Sequence, residues 1–200
     1  MVALEDLYRP YRPKRRTRAT IAKEKGLEPL AEILRAQATT RTIEEEATAF
    51  VDAEKGVESV QDAIDGAKDI LAEVYADDAD YRTKLRAMTK ESGSLVAKAK
   101  DEEADSVYEM YYDFSEPIKK LVGHRILAIN RGEAEKFLTV KIEAPRQEIL
   151  LWLVKQIIGN MKHDSASYLY EAITDSYDRL IAPSIEREIR NELTEKAEEG

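Results

Sequence analysis

Residues 57–74 read VESVQDAIDGAKDILAEV, and this stretch decides the fold class. Its apolar side chains recur at steps of three and four positions: Val57, Val60, Ile64, Ala67, Leu71 and Val74. In an α-helix that spacing places all six side chains on one stripe. We therefore expect a helix that is buried along one face.

Helix signals continue on both sides of this stretch. Pro29 suits the first turn of a helix, and Asp77 and Asp78 offer an N-cap for a helix that ends near Gly93. Pro183 is expected to separate the last two helices. Together with apolar periodicity, these signals predict further helices at residues 29–38, 43–52, 79–93, 117–121, 124–132, 149–158, 169–180 and 185–193.

Two short segments carry the alternating pattern of strands. The expected fold class is therefore mainly α: a multi-helix array with a minor two-stranded β element near 95–99 and 137–143. Between these segments lies an aromatic cluster at helical spacing, formed by Tyr108, Tyr111, Tyr112 and Phe114. Its neighbours Glu109 and Asp113 oppose the approach of phosphate, so we expect core packing of the rings rather than stacking on bases.

Composition excludes several classes of protein. The 200 residues contain no cysteine, which rules out thiol catalysis, cysteine-ligated zinc and iron–sulfur clusters. Only 8 glycines and 6 prolines argue against a turn-rich β-sandwich or barrel. No apolar run approaches the ~20 residues that span a membrane, and the N-terminus lacks the apolar core of a signal peptide. We expect a soluble cytoplasmic protein with no membrane partner.

Charge is distributed unevenly along the chain. The net charge of −9 divides into +5 for residues 1–25 and −14 for the remainder. Pro10 and Pro13 keep the residues before them out of the α-helical region, so residues 1–25 are expected to form a basic extended arm. Residues 26–200 are expected to form a helical domain, with a candidate sub-boundary near 93–100.

Two groups of cations are candidates for contact with nucleic acid, one in the arm and one around Gly123. They are Arg9, Arg12, Lys14, Arg15, Arg16, Arg18, Lys119, Lys120, Arg125 and Arg131. Six cations in ten residues, beside Tyr8 and Tyr11, could follow a phosphate backbone. In an equally good interpretation, the arm packs on the acidic body or on an acidic neighbouring domain.

Residues that usually carry catalysis are scarce or isolated. His124 and His163 lie in different segments, and neither has the spacing of a metal-binding motif. The sequence contains no glycine-rich phosphate loop and no nucleophile elbow. Adjacent acidic residues at 44–46 and 101–103 would point in different directions on a helix. We expect no enzyme activity, no catalytic or metal-binding residue and no cofactor.

Several segments of the chain resemble the Tex family of bacterial transcription accessory proteins, in register over nearly the whole length. They are 4–8 (LEDLY), 10–22 (PYRPKRRTRATIA), 25–30 (KGLEPL), 50–52 (FVD), 54–57 (EKGV), 112–117 (YDFSEP), 124–133 (HRILAINRGE) and 183–188 (PSIERE). The chain departs from the family at Val122-Gly123, where a Pro-Ser pair is usual. It also diverges over residues 145–167, so nothing is carried over to them.

The resemblance implies that the chain is a fragment of a longer multidomain protein. It corresponds to the helical part upstream of an RNase H-like domain, in a protein that also has helix-hairpin-helix units and an RNA-binding S1 domain. The implied function is a non-catalytic scaffold in a nucleic-acid-binding transcription factor, whose arm adds contacts to RNA or DNA phosphates. The alternative is a protein-interaction module that contacts other domains of the same protein or the transcription machinery.

Overall fold

The computed structural model describes residues 16–199. Arg9, Arg12, Lys14 and Arg15 lie outside the described residues, as does the proline-containing stretch that was expected to be extended. The described α-helices are α1 (Arg18–Glu24), α2 (Glu28–Ala36), α3 (Ile43–Thr48), α4 (Val60–Asp77), α5 (Ala79–Ser92), α6 (Gly123–Ala134), α7 (Arg146–Ile157), α8 (Ser165–Asp175) and α9 (Ala182–Glu199). The strands are β1 (Ser94–Ala99), β2 (Asp113–Pro117) and β3 (Leu138–Glu143).

Helix α4 confirms the helix expected from its apolar stripe. It packs against α1, α2, α3 and α8, and its residues Ile64, Ala67 and Leu71 are buried. The helix begins at Val60 rather than Val57, because the Ser59 hydroxyl accepts a hydrogen bond from the Asp62 amide and caps the first turn. Asp78 caps α5 in the same way, as expected, through the amide of Tyr81.

The expectation of an extended arm is wrong for residues 18–24, which form α1. Thr17 and Thr20 form a reciprocal capping box that satisfies the free amides at the start of the helix. Ala19 and Ala22 are buried where α1 packs against α4. A helix with small residues on its inner face is therefore favoured here over an extended chain. The division into an arm and one helical domain stays a prediction.

The β element confirms the two expected strands and adds a third between them in sequence. β1 lies in the centre and pairs antiparallel with β2 on one side and with β3 on the other. The helix expected at 117–121 is reduced to one short 3₁₀ turn, Ile118–Lys120, because the Ile118 amide donates to the Gly93 carbonyl and extends the β1–β2 ladder. Pro117 ends an edge strand, where its missing donor costs nothing.

Hydrophobic side chains form two clusters. The larger lies among the helices around α4. The smaller lies between the sheet and α6, and it contains Leu95, Ile129 and Leu138. Tyr108 and Tyr111 are buried in it, while Tyr112 and Phe114 pack against it. Core packing of the aromatic cluster is thereby confirmed.

The expected break at Pro183 is wrong. The chain stays helical from α8 to α9 through a π-helical segment, Ser176–Ile181. Proline cannot donate to the carbonyl four residues earlier and collides with it, and the wider π turn relieves this mismatch. Between residues 16 and 199, no helix combines the length and the apolar character that crossing a membrane requires.

Candidate functional site

The two candidate cations of the arm that the structure describes, Arg16 and Arg18, both lie near carboxylates of the chain. Arg16 forms an ion pair of 2.6 Å with Glu24, at the other end of α1. Arg18 lines one cleft together with Asp65 and Asp69 of α4. These contacts hold both side chains close to acidic groups that oppose the approach of phosphate.

The cleft beside Arg18 is acidic. Burial raises the pKa of the Asp69 carboxyl above its usual value, while Arg18 and Arg179 act in the opposite direction. Thr17 ties α1 to the same surface, because its hydroxyl donates to Glu73 at 2.8 Å. Arg18 therefore helps to compensate a partly buried carboxylate, which is a structural role.

The second group of cations lies around α6, and half of it is paired. Lys119 forms an ion pair of 2.9 Å with Glu91, and Arg125 one of 2.8 Å with Glu116. Among residues 16–199, no carboxylate lies within ion-pair distance of Lys120 or Arg131. Lys119 and Lys120 lie in the short turn that precedes α6, Arg125 lies in its first turn, and Arg131 lies near its C-terminal end.

The two groups of cations belong to different parts of the fold. Arg16 and Arg18 flank residues of the larger hydrophobic cluster, whereas α6 covers the smaller one. Arg125 and Arg131 of α6 therefore lie beside the smaller cluster, whereas Lys119 follows Ile118, which belongs to the larger one.

Helix α6 is fixed by polar contacts with α9. The Arg190 guanidinium donates to Asn130 Oδ1 at 2.9 Å and to Glu133 Oε1 at 2.7 Å, and Asn130 donates to Thr194. These bonds set the orientation of α6. They therefore help to determine where Arg125 and Arg131 lie.

Arg190→Ala is expected to lower the free energy of unfolding by about 1–2 kcal/mol, because it leaves Asn130 and Glu133 without their charged donor. Urea denaturation measures this loss. The control is Arg187→Ala on the exposed side of α9, which is expected to change the free energy of unfolding by less than about 0.5 kcal/mol. Equal effects of the two variants would contradict a specific role for Arg190.

The histidines have unrelated environments. His163 Nε2 is 2.9 Å from the Thr39 carbonyl and its Nδ1 is 2.7 Å from the Ser165 hydroxyl, which ties the start of α8 to the loop after α2. His124 is exposed on the first turn of α6. Over residues 16–199, no three acidic or histidine side chains cluster in a way that could hold a metal ion.

A groove beside α6 was missed at the sequence level. It has a volume of about 400 Å³ and lies between α5, α6, α9 and the short turn 118–120. Of the nucleic-acid candidates in the described part of the chain, only Lys119 lines it, and Lys196 of α9 is a further cation on its edge. The spacing of Ile189, Leu193 and Ala197 was the available signal, but one stripe on one helix does not reveal which element leaves it uncovered.

Comparison with known proteins gives the following matches. Residues 38–200 match the family model described as Tex central region-like. The chain is 47% identical over 98% of its length to "Uncharacterized protein YdcI" of Bacillus subtilis, and 32% identical over 98% to "Transcriptional accessory protein Tex" of Neisseria gonorrhoeae. It is also 33% identical over 72% to the human "S1 RNA-binding domain-containing protein 1". The chain covers 28%, 26% and 16% of these three relatives.

Proposed function

The chain belongs to the Tex central region-like family, and from that premise we propose that it is a helical scaffold within a transcription accessory protein and has no catalytic residues of its own. The observation that supports a scaffold is the pairing of its cations. Arg16, Lys119 and Arg125 are bound to carboxylates of the chain itself. Cations that are already paired with carboxylates attract phosphate less strongly than unpaired ones, so these three residues favour protein contact over contact with phosphate.

The longer protein is proposed to bind nucleic acid elsewhere. One relative is named a transcriptional accessory protein and another an S1 RNA-binding domain-containing protein. The chain covers only 16–28% of the three relatives compared above, so RNA or DNA binding belongs to the proposal for the whole protein. Its other partners are proposed to be further domains of the same protein and the transcription machinery, in the cytoplasm where transcription takes place.

Direct contact with phosphate is the second candidate function. Six cations lie within residues 9–18, and Arg9, Arg12, Lys14 and Arg15 fall outside the described residues. Lys120 and Arg131 add two exposed cations without a carboxylate partner in the described part of the chain. These residues would add contacts that do not depend on base sequence.

Fluorescence anisotropy distinguishes the two candidate functions. The 200-residue chain is titrated against labelled single-stranded RNA and duplex DNA between 50 and 200 mM salt, roughly the range over which phosphate contacts weaken strongly. A scaffold is expected to bind more weakly than about 100 μM at all salt concentrations. Micromolar binding with a steep salt dependence would replace the scaffold proposal with direct contact.

Charge-reversal variants show which residues make any nucleic-acid contact that the titration detects. Arg16→Glu with Arg18→Glu tests the arm, and Lys120→Glu with Arg131→Glu tests the surface around α6. Lys155→Glu with Lys162→Glu makes the same change of charge at exposed positions outside both groups. Removing a true phosphate contact reduces the slope of log affinity against log salt concentration by about one. A general effect of net charge would instead be equal in all three variants.

A further inference from the structure

The groove between α5, α6 and α9 lies where the two hydrophobic clusters meet. Ile118 and Ile189 belong to the larger cluster, and Leu121 packs against the smaller one. Its floor consists of aliphatic side chains from three elements: Ile118, Leu121, Ile126, Ile189, Leu193 and Ala197. A volume of about 400 Å³ falls within the range of sites that enclose ligand groups.

The edge of the groove has the opposite charge to the chain as a whole. Its charged residues are Lys90, Lys119, Lys196 and a single acid, Glu192. They sum to +2, or to +1 with Glu91, which forms an ion pair with Lys119, whereas the whole chain carries −9. Lys90 is bound to Glu192 at 2.6 Å. Lys196 has no carboxylate within ion-pair distance in the described residues.

The side chains of the floor indicate whether the groove is suited to a protein segment or to a nucleic acid. Bases bind to proteins by stacking on aromatic rings or on arginine planes. Within residues 16–199, no aromatic residue or arginine lines this groove. Aliphatic floors instead accept the apolar side chains of a helix at i, i+3, i+4 and i+7. The lysines at the edge complement carboxylates on the flanks of such a helix.

We propose that this groove binds an acidic amphipathic helix of a partner protein. Apolar side chains of that helix fill the space over Leu121, Ile126 and Leu193. Its carboxylates pair with Lys196 and exchange with Glu91 for Lys119. The proposal rests on the scaffold function proposed above and identifies the surface through which the scaffold acts. It assigns Lys119 to a protein carboxylate rather than to phosphate.

Selection from a random dodecapeptide library displayed on phage, panned against the 200-residue chain, tests the proposal. The enriched peptides are expected to be net negative, with aliphatic residues at helical spacing. Lys119→Glu with Lys196→Glu is expected to weaken their binding about tenfold, because two attractive pairs become repulsive. Both lysines are exposed. Losing the exposed Lys119–Glu91 pair is expected to cost about 1 kcal/mol or less, and circular dichroism checks that the variant is folded.

Matched variants separate the groove from general electrostatics. Lys155→Glu with Lys162→Glu gives the same net charge away from the groove and is expected to leave peptide affinity unchanged. Leu193→Glu places a charge in the floor and is expected to abolish binding, with circular dichroism as the check on folding. Basic peptides, no enrichment, or equal affinity for both double variants would overturn the groove proposal.

The peptide experiments test the groove alone. The scaffold function is tested separately, by the oligonucleotide titration described above. If the chain binds no acidic peptide and no oligonucleotide, the groove proposal fails and the scaffold stands. Oligonucleotide binding that competes with the selected peptides for Lys119 and Lys196 would assign the groove to nucleic acid. That outcome would overturn both proposals.

Discussion

Replacing Leu153 by alanine is expected to lower the free energy of unfolding by about 2–5 kcal/mol, as typically found for a leucine deleted from a close-packed core. Leu153 is 1% exposed and lies on α7, which packs against α5 and α8. The substitution removes apolar contacts and leaves a cavity that three helices would have to move to fill. Urea denaturation with linear extrapolation measures the loss.

Leu151→Ala on the same helix is the matched control. Leu151 is 55% exposed and lies only two residues away, so the change in residue type and in helix propensity is identical. The control is expected to change the free energy of unfolding by less than about 0.5 kcal/mol. Alanine has a higher helix propensity than leucine, so if both variants lose the same amount, burial of Leu153 is not the cause and α7 does not contribute to the core as the structure describes.

Sequence periodicity predicted the helical part of the fold because each helix carries its own signal. The stripe from Val60 to Val74 and the Asp78 cap depend on residues that are close in sequence, and both were confirmed. β2 was missed because strand pairing is a long-range property. Phe114 lies opposite Ala97 in the sheet, and nothing within residues 112–117 specifies that partner.

The candidate site was predictable only as a set of cations. Sequence located Lys119 and Arg125, but their partners Glu91 and Glu116 lie in other elements, so pairing could not be foreseen. The interpretation of the arm changed for the same reason. Arg18 was equally suited to phosphate or to protein until α1 was found against the acidic face of α4.

Gly93→Ala is expected to lower the free energy of unfolding by about 3 kcal/mol, at the upper end of the usual cost of overpacking. Gly93 joins α5 to β1 with φ −85° and ψ 168°, a backbone conformation that alanine also adopts. The cost therefore comes from space rather than from conformation. A Cβ atom at this position would collide with the Thr89 carbonyl oxygen and lie 3.1 Å from that of Glu143.

Hydrogen bonds hold the Thr89 carbonyl and the backbone of Gly93 in place. The Gly93 amide donates to Thr89 at 2.7 Å and its carbonyl accepts from Ile118 at 3.0 Å, so a shift that relieves the collision must stretch the connection between α5 and the sheet. Gly159→Ala is the control, because only Gln37 Oε1, at 3.9 Å, lies near its added Cβ. We expect it to stay within about 1 kcal/mol of the parent chain.

Amide hydrogen exchange tests whether Gly93→Ala acts locally, at the connection between α5 and the sheet. In Gly93→Ala the Ile118 amide is expected to lose protection more than the amides of α4, since its acceptor is the carbonyl of the substituted residue. Equal stability of the two glycine variants would show that the collision relaxes without cost. Loss of protection spread evenly over α4 and the sheet would show instead that the substitution acts on global unfolding and leaves the β1–β2 junction intact.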